Sequence, residues 1–267
     1  MKQSDLWIPK YWKHSPMFAD QQQSIGAKAW DAWPDCNELN LLMPEGHKTL
    51  SGHMAQFYPQ SDLGEDASYY EEHIFASGQI PTRAENWHDY FNAMIWLHFP
   101  HIKSAINALH VGEIEQQQEK QNRTRKRDAL TLFDETGIIF VSSEPSSIEA
   151  LKNHEWESLF VDRRSDWWRS ISVYIFGHGL FEKALSPYIG MTANAFSMEV
   201  DVDFFSQDRH SQIQALDLLI AKELEQGALE TPSNLSPLPV LGVPNWYQDN
   251  NDTEFYKNKN YFRPKKK

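Results

Sequence analysis

Cysteine is almost absent from this sequence. Only Cys36 occurs among 267 residues, which excludes a disulfide within the chain and a zinc site built from paired cysteines. Such usage is typical of a reducing compartment, so we expect a cytoplasmic protein. No apolar run approaches the length of about eighteen residues that a membrane span needs, and none resembles a signal peptide. We therefore predict a soluble chain without membrane contact.

Positive charge is scarce as well. Lysine and arginine total 25 against 37 acidic residues, which gives a formal net charge of −12, whereas binding to a phosphate backbone depends on accumulated positive charge. The main exception is the run from Lys120 to Arg127, which is typical of a solvated helix end. We do not expect a nucleic-acid partner. A third alternative is that the protein associates with nucleic acid through this run. Absence of nucleic-acid binding at low salt would exclude it.

Familiar catalytic motifs are missing. The chain has no G-x-G-x-x-G fingerprint, no phosphate-binding P-loop, no G-x-S-x-G elbow and no H-E-x-x-H helix, each of which fixes reactive groups in a known geometry. Their absence argues against a dinucleotide-dependent redox enzyme and removes the simplest hydrolase assignments. Any chemistry must come from residues scattered along the chain.

Apolar residues, in contrast, are abundant. With 40% hydrophobic and 13% aromatic residues, the chain can bury a large core. We expect an α+β fold, namely a mainly helical single domain with a small antiparallel hairpin or sheet and aromatic-rich terminal arms. The predicted parts are an N-terminal arm and cap over residues 1–80, a core module over residues 81–227 and a Pro/aromatic-rich C-terminal arm over residues 228–267.

Two helices are predicted at the centre of the chain. Thr82 followed three residues later by Glu85 is typical of a capping box, so the first helix is expected to begin at Thr82. The second begins near Pro100, since proline disfavours helical geometry in the residue before it and suits the first position of a helix. Each helix has one polar face, and we expect the two faces to meet across the break. The polar residues are His88, Asp89 and Asn92 on the first helix and Lys103, Asn107 and His110 on the second.

A β-hairpin is predicted over residues 128–143. Two β-prone runs flank Asp134–Gly137, where the glycine can adopt a positive φ. Asp134 and Glu135 are therefore assigned to the turn, with Asp134 also kept as an alternative member of the site. Arg127 and Asp128 then stand at the start of the hairpin.

Two further helices are predicted downstream, over residues 146–160 and 165–186. The second is apolar nearly all round, which is typical of a buried helix. His178 and Glu182 are one turn apart on it and share a face. Glycines on both sides of His178 allow another backbone to approach closely.

Four segments of the chain are distinctive enough to compare with known families. They are NWHDYFNAMIWLHFP with Lys103, Asn107 and His110 after it, RDALTLFDETG, GHGLFEKALSPYIGMTA, and PLPVLGVPNW with the ending FYKNKNYFRP. In this order they resemble a bacterial family that is numbered 3025 in the domain-of-unknown-function series. The resemblance extends from about Gly78 to Pro264 and implies one integral module that includes the C-terminal tail. It implies no activity, substrate, cofactor or catalytic residue.

The polar residues form one candidate site. As catalytic residues we predict His88, Asp89, His110, His178 and Glu182. As substrate-binding residues we predict Asn92, Lys103, Asn107, Arg127 and Asp128. Such a set suits hydrolysis, or another acid–base reaction, of a small anionic substrate in a cleft lined by histidine, asparagine and acidic side chains.

Two chemistries fit this set. In one, histidines and carboxylates bind a divalent metal that polarises an oxygen or lowers the pKa of water. In the other no metal is present, and His178 beside Glu182, or His88 beside Asp89, is the general base. The spacing does not choose between them, so the enzymatic role, the metal and the oligomeric state stay open.

The alternative is a non-enzymatic binding or interaction protein. Buried histidine and asparagine side chains often join helices by hydrogen bonds, because an unpaired polar group costs about 1 to 3 kcal/mol. The polar set would then be an internal network. Alanine at His88 or His110 would lower the melting temperature by several degrees, whereas a site residue can be removed with little loss of stability.

Overall fold

A computed structural model describes residues 5–25, 30–64, 69–116 and 123–265. Its helices are α1 Ala19–Ile25, α2 Cys36–Asn40, α3 Tyr70–Ser77, α4 Trp87–His98, α5 Pro100–Gln116, α6 Arg125–Thr136, α7 Pro145–Asn153, α8 His178–Ala184 and α9 Arg209–Glu225. Its strands are β1 Gln56–Pro59, β2 Gln79–Thr82, β3 Gly137–Ser142, β4 Ile171–Ile175, β5 Thr192–Glu199 and β6 Ser236–Pro239. Within the described ranges, none of the helices combines the length and the apolar character that crossing a lipid bilayer requires.

A four-stranded mixed sheet has the strand order β4-β3-β5-β6. Strand β3 is antiparallel to β4 and parallel to β5, and β5 is antiparallel to β6. All residues of β3 and β4 are buried, which explains their nearly continuous apolar sequences. A separate two-stranded parallel sheet joins β1 to β2. The predicted α+β class, with more helix than strand, is confirmed.

The predicted hairpin over residues 128–143 is wrong. Most of its first half belongs to α6, which passes directly into β3. Apolar residues with helical spacing are buried on α6, namely Ala129, Leu130 and Phe133. Gly137 has a φ of −70° and is therefore not a left-handed turn residue. The antiparallel partner of β3 is the distant strand β4.

The predicted helix over residues 165–186 is also wrong, because this segment divides into β4 and α8. A run that is apolar on all sides fits a central strand as well as a buried helix, so periodicity alone does not discriminate between them. The helix predicted over residues 146–160 ends at Asn153, and His154 after it adopts a φ of +59°.

The first central helix begins at Trp87 and not at Thr82, which ends β2. The Asn86 side chain accepts a backbone N–H of the first turn and is the N-cap. Glu85 has a φ of +51°, which is outside right-handed helical geometry, so the predicted capping box does not form. The predicted start of the second helix at Pro100 is confirmed.

Aromatic side chains fasten both ends of the described chain to the core. Trp7 stacks on Trp87 with ring centroids 4.9 Å apart and an interplanar angle of 12°. Near the other end, the Tyr261 hydroxyl donates to the Met191 carbonyl oxygen at 2.7 Å. Large aromatic rings bury much apolar area per residue, so the two arms are part of the packed structure.

Candidate metal centre and polar cavity

A polar cavity of about 410 Å³ lies among α3, α4, α5, α6 and α8. This volume is in the range that accommodates a small molecule. Five of the residues predicted for the site line it, namely His88, Asp89, Asn92, His110 and His178. The structure therefore brings together polar residues that are far apart in the sequence.

Two histidines and a glutamate converge at one point of this cavity. Nε2 of His88 lies 3.0 Å from Nε2 of His178. The carboxylate of Glu135 places one oxygen 4.0 Å from the first nitrogen and the other 3.6 Å from the second. Ligand atoms around a tetrahedral zinc ion are about 3.3 Å apart, given bonds of about 2.0–2.1 Å. The three side chains can therefore hold a divalent metal ion between them.

Each histidine has an acid near its other ring nitrogen. Nδ1 of His88 lies 3.1 Å from the Glu182 carboxylate, within hydrogen-bond distance, whereas Nδ1 of His178 lies 3.8 Å from the Asp134 carboxylate and has no hydrogen-bond partner among the described residues. Metal-binding histidines usually donate this N–H to a carboxylate, which leaves a lone pair on the ligand nitrogen. With both rings in that tautomer, two lone pairs face each other, and a cation between them makes the arrangement favourable.

The two histidines differ in basicity. Hydrogen bonding to Glu182 raises the pKa of His88 against the opposing effect of burial. Burial lowers the pKa of His178 to about 4. A proton on His88 can therefore be shared with a neutral His178. The same point can take a proton or a metal ion, which corresponds to the two chemistries expected from the sequence.

Close backbone contact between α6 and α8 brings Glu135 and His178 together. A Cβ on Gly177 would lie 2.4 Å from the backbone nitrogen of Gly137. A Cβ on Gly179 would lie 2.9 Å from the carbonyl oxygen of Glu135 and 2.9 Å from its carboxylate. Only glycine permits such an approach without displacement. The end of α6 and the start of α8 thus form one unit, and α4 supplies His88.

A buried lysine organises one wall of the cavity. Lys103 donates to Asp134 Oδ1 at 2.5 Å and to Asn92 Oδ1 at 2.9 Å. Burial would raise the pKa of Asp134, but Lys103 holds it below the usual value. These contacts join α4 to α5, so the predicted meeting of their polar faces is confirmed.

Glu71 and Asn107 form a second buried pair. The Asn107 amide donates to the carboxylate and to the carbonyl oxygen of Glu71 at 2.7 and 2.8 Å. Burial raises the pKa of Glu71 to about 7 and lowers that of His110 to about 4. Near neutral pH the cavity therefore contains an uncharged imidazole and a carboxyl group that is about half protonated.

Not every predicted residue is available to a ligand. Asp128 does not line the cavity and contacts Arg123 at 3.5 Å, because its segment is a helix and not a hairpin. Arg127 is buried against a tyrosine ring. Asp89 lines the cavity, but Arg83 engages both of its oxygens, at 2.6 and 3.0 Å.

The basic run is largely engaged within the chain. Lys126 pairs with Glu230 at 2.7 Å, and Arg123 and Arg127 have the contacts given above. Lys120 lies outside the described residues, as do the last two lysines. The absence of a nucleic-acid partner stays a prediction.

Glu135, Tyr70 and Glu71 belong to the cavity but are not among the residues predicted from the sequence. The hairpin hypothesis placed Glu135 in a turn. The Thr124 hydroxyl, which accepts the backbone N–H of Arg127 at the start of α6, was the available signal for a helix there. Nothing in the local pattern of residues 69–71 indicates that α3 packs near α4.

A family comparison covers this whole arrangement. Residues 55–266 match the family model described as Protein of unknown function (DUF3025). The chain belongs to this family. The three residues of the candidate metal centre lie within the part matched to DUF3025. No curated protein and no solved structure matches the chain significantly, so function is inferred from the geometry of the site.

Proposed function

We propose that this DUF3025 protein is a metal-dependent hydrolase that acts on a small anionic substrate. The observation that supports this is the convergence of His88, His178 and Glu135, whose ligand atoms lie 3.0 to 4.0 Å apart. Three protein ligands leave one open position on a tetrahedral ion, which distinguishes catalytic zinc sites from structural ones. All three side chains line the cavity, so water and substrate can reach that position.

Positive charge at the cavity supports an anionic substrate. Arg83 and Arg123 both line it, with side chains 47% and 43% exposed, although each also pairs with an acid of the chain, Asp89 and Asp128 respectively. An arginine retains its charge at any physiological pH, so the two guanidinium groups favour a substrate that carries a carboxylate or phosphate group. The volume of about 410 Å³ limits the substrate to a small molecule.

The protein's own part in the reaction is to orient the ligands. A hydrogen bond from Nδ1 of His88 to Glu182 orients that ring, Asp134 lies 3.8 Å from Nδ1 of His178, and the two Nε2 atoms face each other. A divalent cation held by these residues would supply Lewis-acid chemistry, which lowers the pKa of water and polarises the bond to be cleaved.

Elemental analysis of tag-free protein purified without chelator tests this proposal. We expect about one divalent metal per chain in the wild type and its loss in His88→Ala and Glu135→Gln. His53→Ala changes an exposed loop histidine and should retain the metal. Wild-type protein that lacks metal and also fails to bind added zinc would refute the metal centre. A metal-loaded protein that cleaves no ester, amide or phosphoester would refute the hydrolase.

Metal-free acid–base catalysis is the second candidate. The observation that favours it is the short His88–His178 contact, in which one ring can hold a proton and the other can accept it. Activity would then survive treatment with a chelator. A metal-dependent hydrolase would lose activity under the same treatment and regain it on addition of metal.

A non-enzymatic network is the remaining alternative. It is supported by the mutual hydrogen bonds of Lys103, Asp134 and Asn92, which need no ligand. On this hypothesis His88→Ala and His110→Ala lower the melting temperature by several degrees, and neither variant changes the metal content.

A further inference from the structure

Tyr70 lines the cavity with a hydroxyl hydrogen that is free to donate. Lys103 has donors only, so Asn92 must present its amide oxygen to it, at 2.9 Å. The amide nitrogen of Asn92 therefore faces Tyr70 and donates to its hydroxyl oxygen at 2.8 Å. Among the described residues, none accepts a hydrogen bond from the Tyr70 O–H.

This hydroxyl remains a donor throughout the neutral pH range. Tyr70 is 36% exposed; partial burial raises the pKa of its hydroxyl, and the nearby acids Glu71 and Asp134 raise it further. Two successive hydrogen bonds, from Lys103 to Asn92 and from Asn92 to Tyr70, hold the hydroxyl oxygen in place. An O–H that is fixed before substrate arrives is suited to stabilise charge that develops on an oxygen.

His110 is a second polar group of the cavity that lacks a partner. Its side chain is 4% exposed, and its Nδ1 has no hydrogen-bond partner in the described part of the chain. A buried polar atom without a partner is costly, so a ligand atom that completes its hydrogen bonding is favoured at this place. His110 and Tyr70 line the same cavity as the candidate metal centre.

We propose that Tyr70 and His110 form an oxyanion-binding end of the cavity, which receives a carbonyl or phosphoryl oxygen of the substrate. Tyr70 donates its O–H to this oxygen and stabilises the negative charge that accumulates there as the oxygen of water bonds to the adjoining carbon or phosphorus. The bond to the leaving oxygen or nitrogen then breaks, and the leaving group takes up the proton that the water loses. The catalytic part of this inference rests on the proposed hydrolase function, whereas the binding part does not. The substrate is then an acyl or phosphoryl compound. A glycoside is excluded, because its reacting carbon carries no such oxygen.

Tyr70→Phe tests this assignment because it removes only the hydroxyl. In metal-loaded protein we expect kcat for p-nitrophenyl acetate or p-nitrophenyl phosphate to fall about 100-fold. We expect KM to change by less than about threefold, with metal content and melting temperature unchanged. Tyr188→Phe removes an exposed hydroxyl outside the cavity and should retain kcat within about twofold. The ester that the wild type cleaves distinguishes acyl from phosphoryl chemistry.

Binding of inorganic phosphate, measured by calorimetry with and without zinc, makes the test independent of turnover. We expect Tyr70→Phe and His110→Gln each to weaken phosphate binding at least about fivefold in either form. Tyr188→Phe should bind as the wild type does. If the wild type cleaves no ester, amide or phosphoester, the hydrolase proposal fails while this comparison still decides the oxyanion-binding end. Equal binding by wild type and Tyr70→Phe, or no binding by the wild type, would overturn the inference.

Discussion

The ammonium nitrogen of Lys103 lies 2.5 Å from one oxygen of Asp134, in a place where the lysine side chain is only 4% exposed. The other oxygen of the same carboxylate lies 3.8 Å from Nδ1 of His178. One carboxylate therefore links a lysine on α5 to a candidate metal ligand on α8. The structural network and the candidate site are not separate sets of residues.

Replacing Lys103 by methionine should be strongly destabilising. The change leaves the largely buried carboxylate of Asp134 without its cation, and we expect the free energy of unfolding to fall by about 3 to 5 kcal/mol. Urea denaturation of the variant gives this value. Lys152→Met breaks an exposed pair with Glu149 and should cost less than about 1 kcal/mol. A similar small loss for Lys103→Met would contradict the role assigned to the pair.

Gly179→Ala should weaken metal binding. The added Cβ would lie 2.9 Å from both the carboxylate and the backbone carbonyl oxygen of Glu135, so this ligand must move together with the backbone that carries it. We expect the Kd for zinc to rise about tenfold, as measured by competition with a chelating dye. Gly112→Ala is the matched control, because a Cβ there meets no atom within 4 Å. Equal zinc affinity in both variants would show that Glu135 is not a ligand.

The stability of the protein should depend on the ionisation of Glu71. Burial raises its pKa from 4.5 to about 7, so the folded state keeps a proton that the unfolded chain releases near pH 4.5. This contribution is fully present below pH 4.5 and is lost as the pH rises through 7, by about 3 kcal/mol. Glu71→Gln carries no charge at any pH. Urea titrations should therefore show wild type losing about that much stability relative to the variant between pH 4.5 and 7.5.

His110 should produce the opposite slope. Burial lowers its pKa from 6.5 to about 4. Between these two pH values the imidazole is protonated in the unfolded chain and neutral in the folded state. The free energy of unfolding therefore falls by about 3 kcal/mol as the pH decreases from 6.5 to 4. The two effects nearly cancel in the wild type. His110→Gln should expose the Glu71 slope alone, and an unchanged pH profile in this variant would refute the buried, uncharged state of His110.

The sequence was informative wherever a residue could be assigned to a helix face. Asn92 and Lys103 were predicted to lie on facing polar stripes, and they do meet, because proline defined the break between α4 and α5. His178 was identified as a candidate although its element was assigned too long. A histidine between two glycines indicates close packing whether the preceding segment is a helix or a strand.

The sequence did not identify site residues whose secondary structure was predicted wrongly or whose contacts between helices were not predicted. Glu135 was placed in a turn because an acidic pair before a glycine is typical of a hairpin, whereas here α6 runs into β3 without a loop. His178 and Glu182 were predicted as partners, but the structure connects both of them to His88. That connection depends on the packing of α8 against α4, which local spacing does not determine.

The convergence of α4, α6 and α8 has a mechanical consequence. Their three ligand side chains are separated by segments of about 45 residues, so an ion that binds all of them is a cross-link that closes two long loops. Such an ion binds only the folded chain and stabilises it by mass action. Amide hydrogen exchange in the seven-residue helix α8 should then slow as zinc is added, because its local opening breaks the cross-link. The ion would then stabilise α8 in addition to its part in catalysis, and amide hydrogen exchange would detect its binding without any substrate.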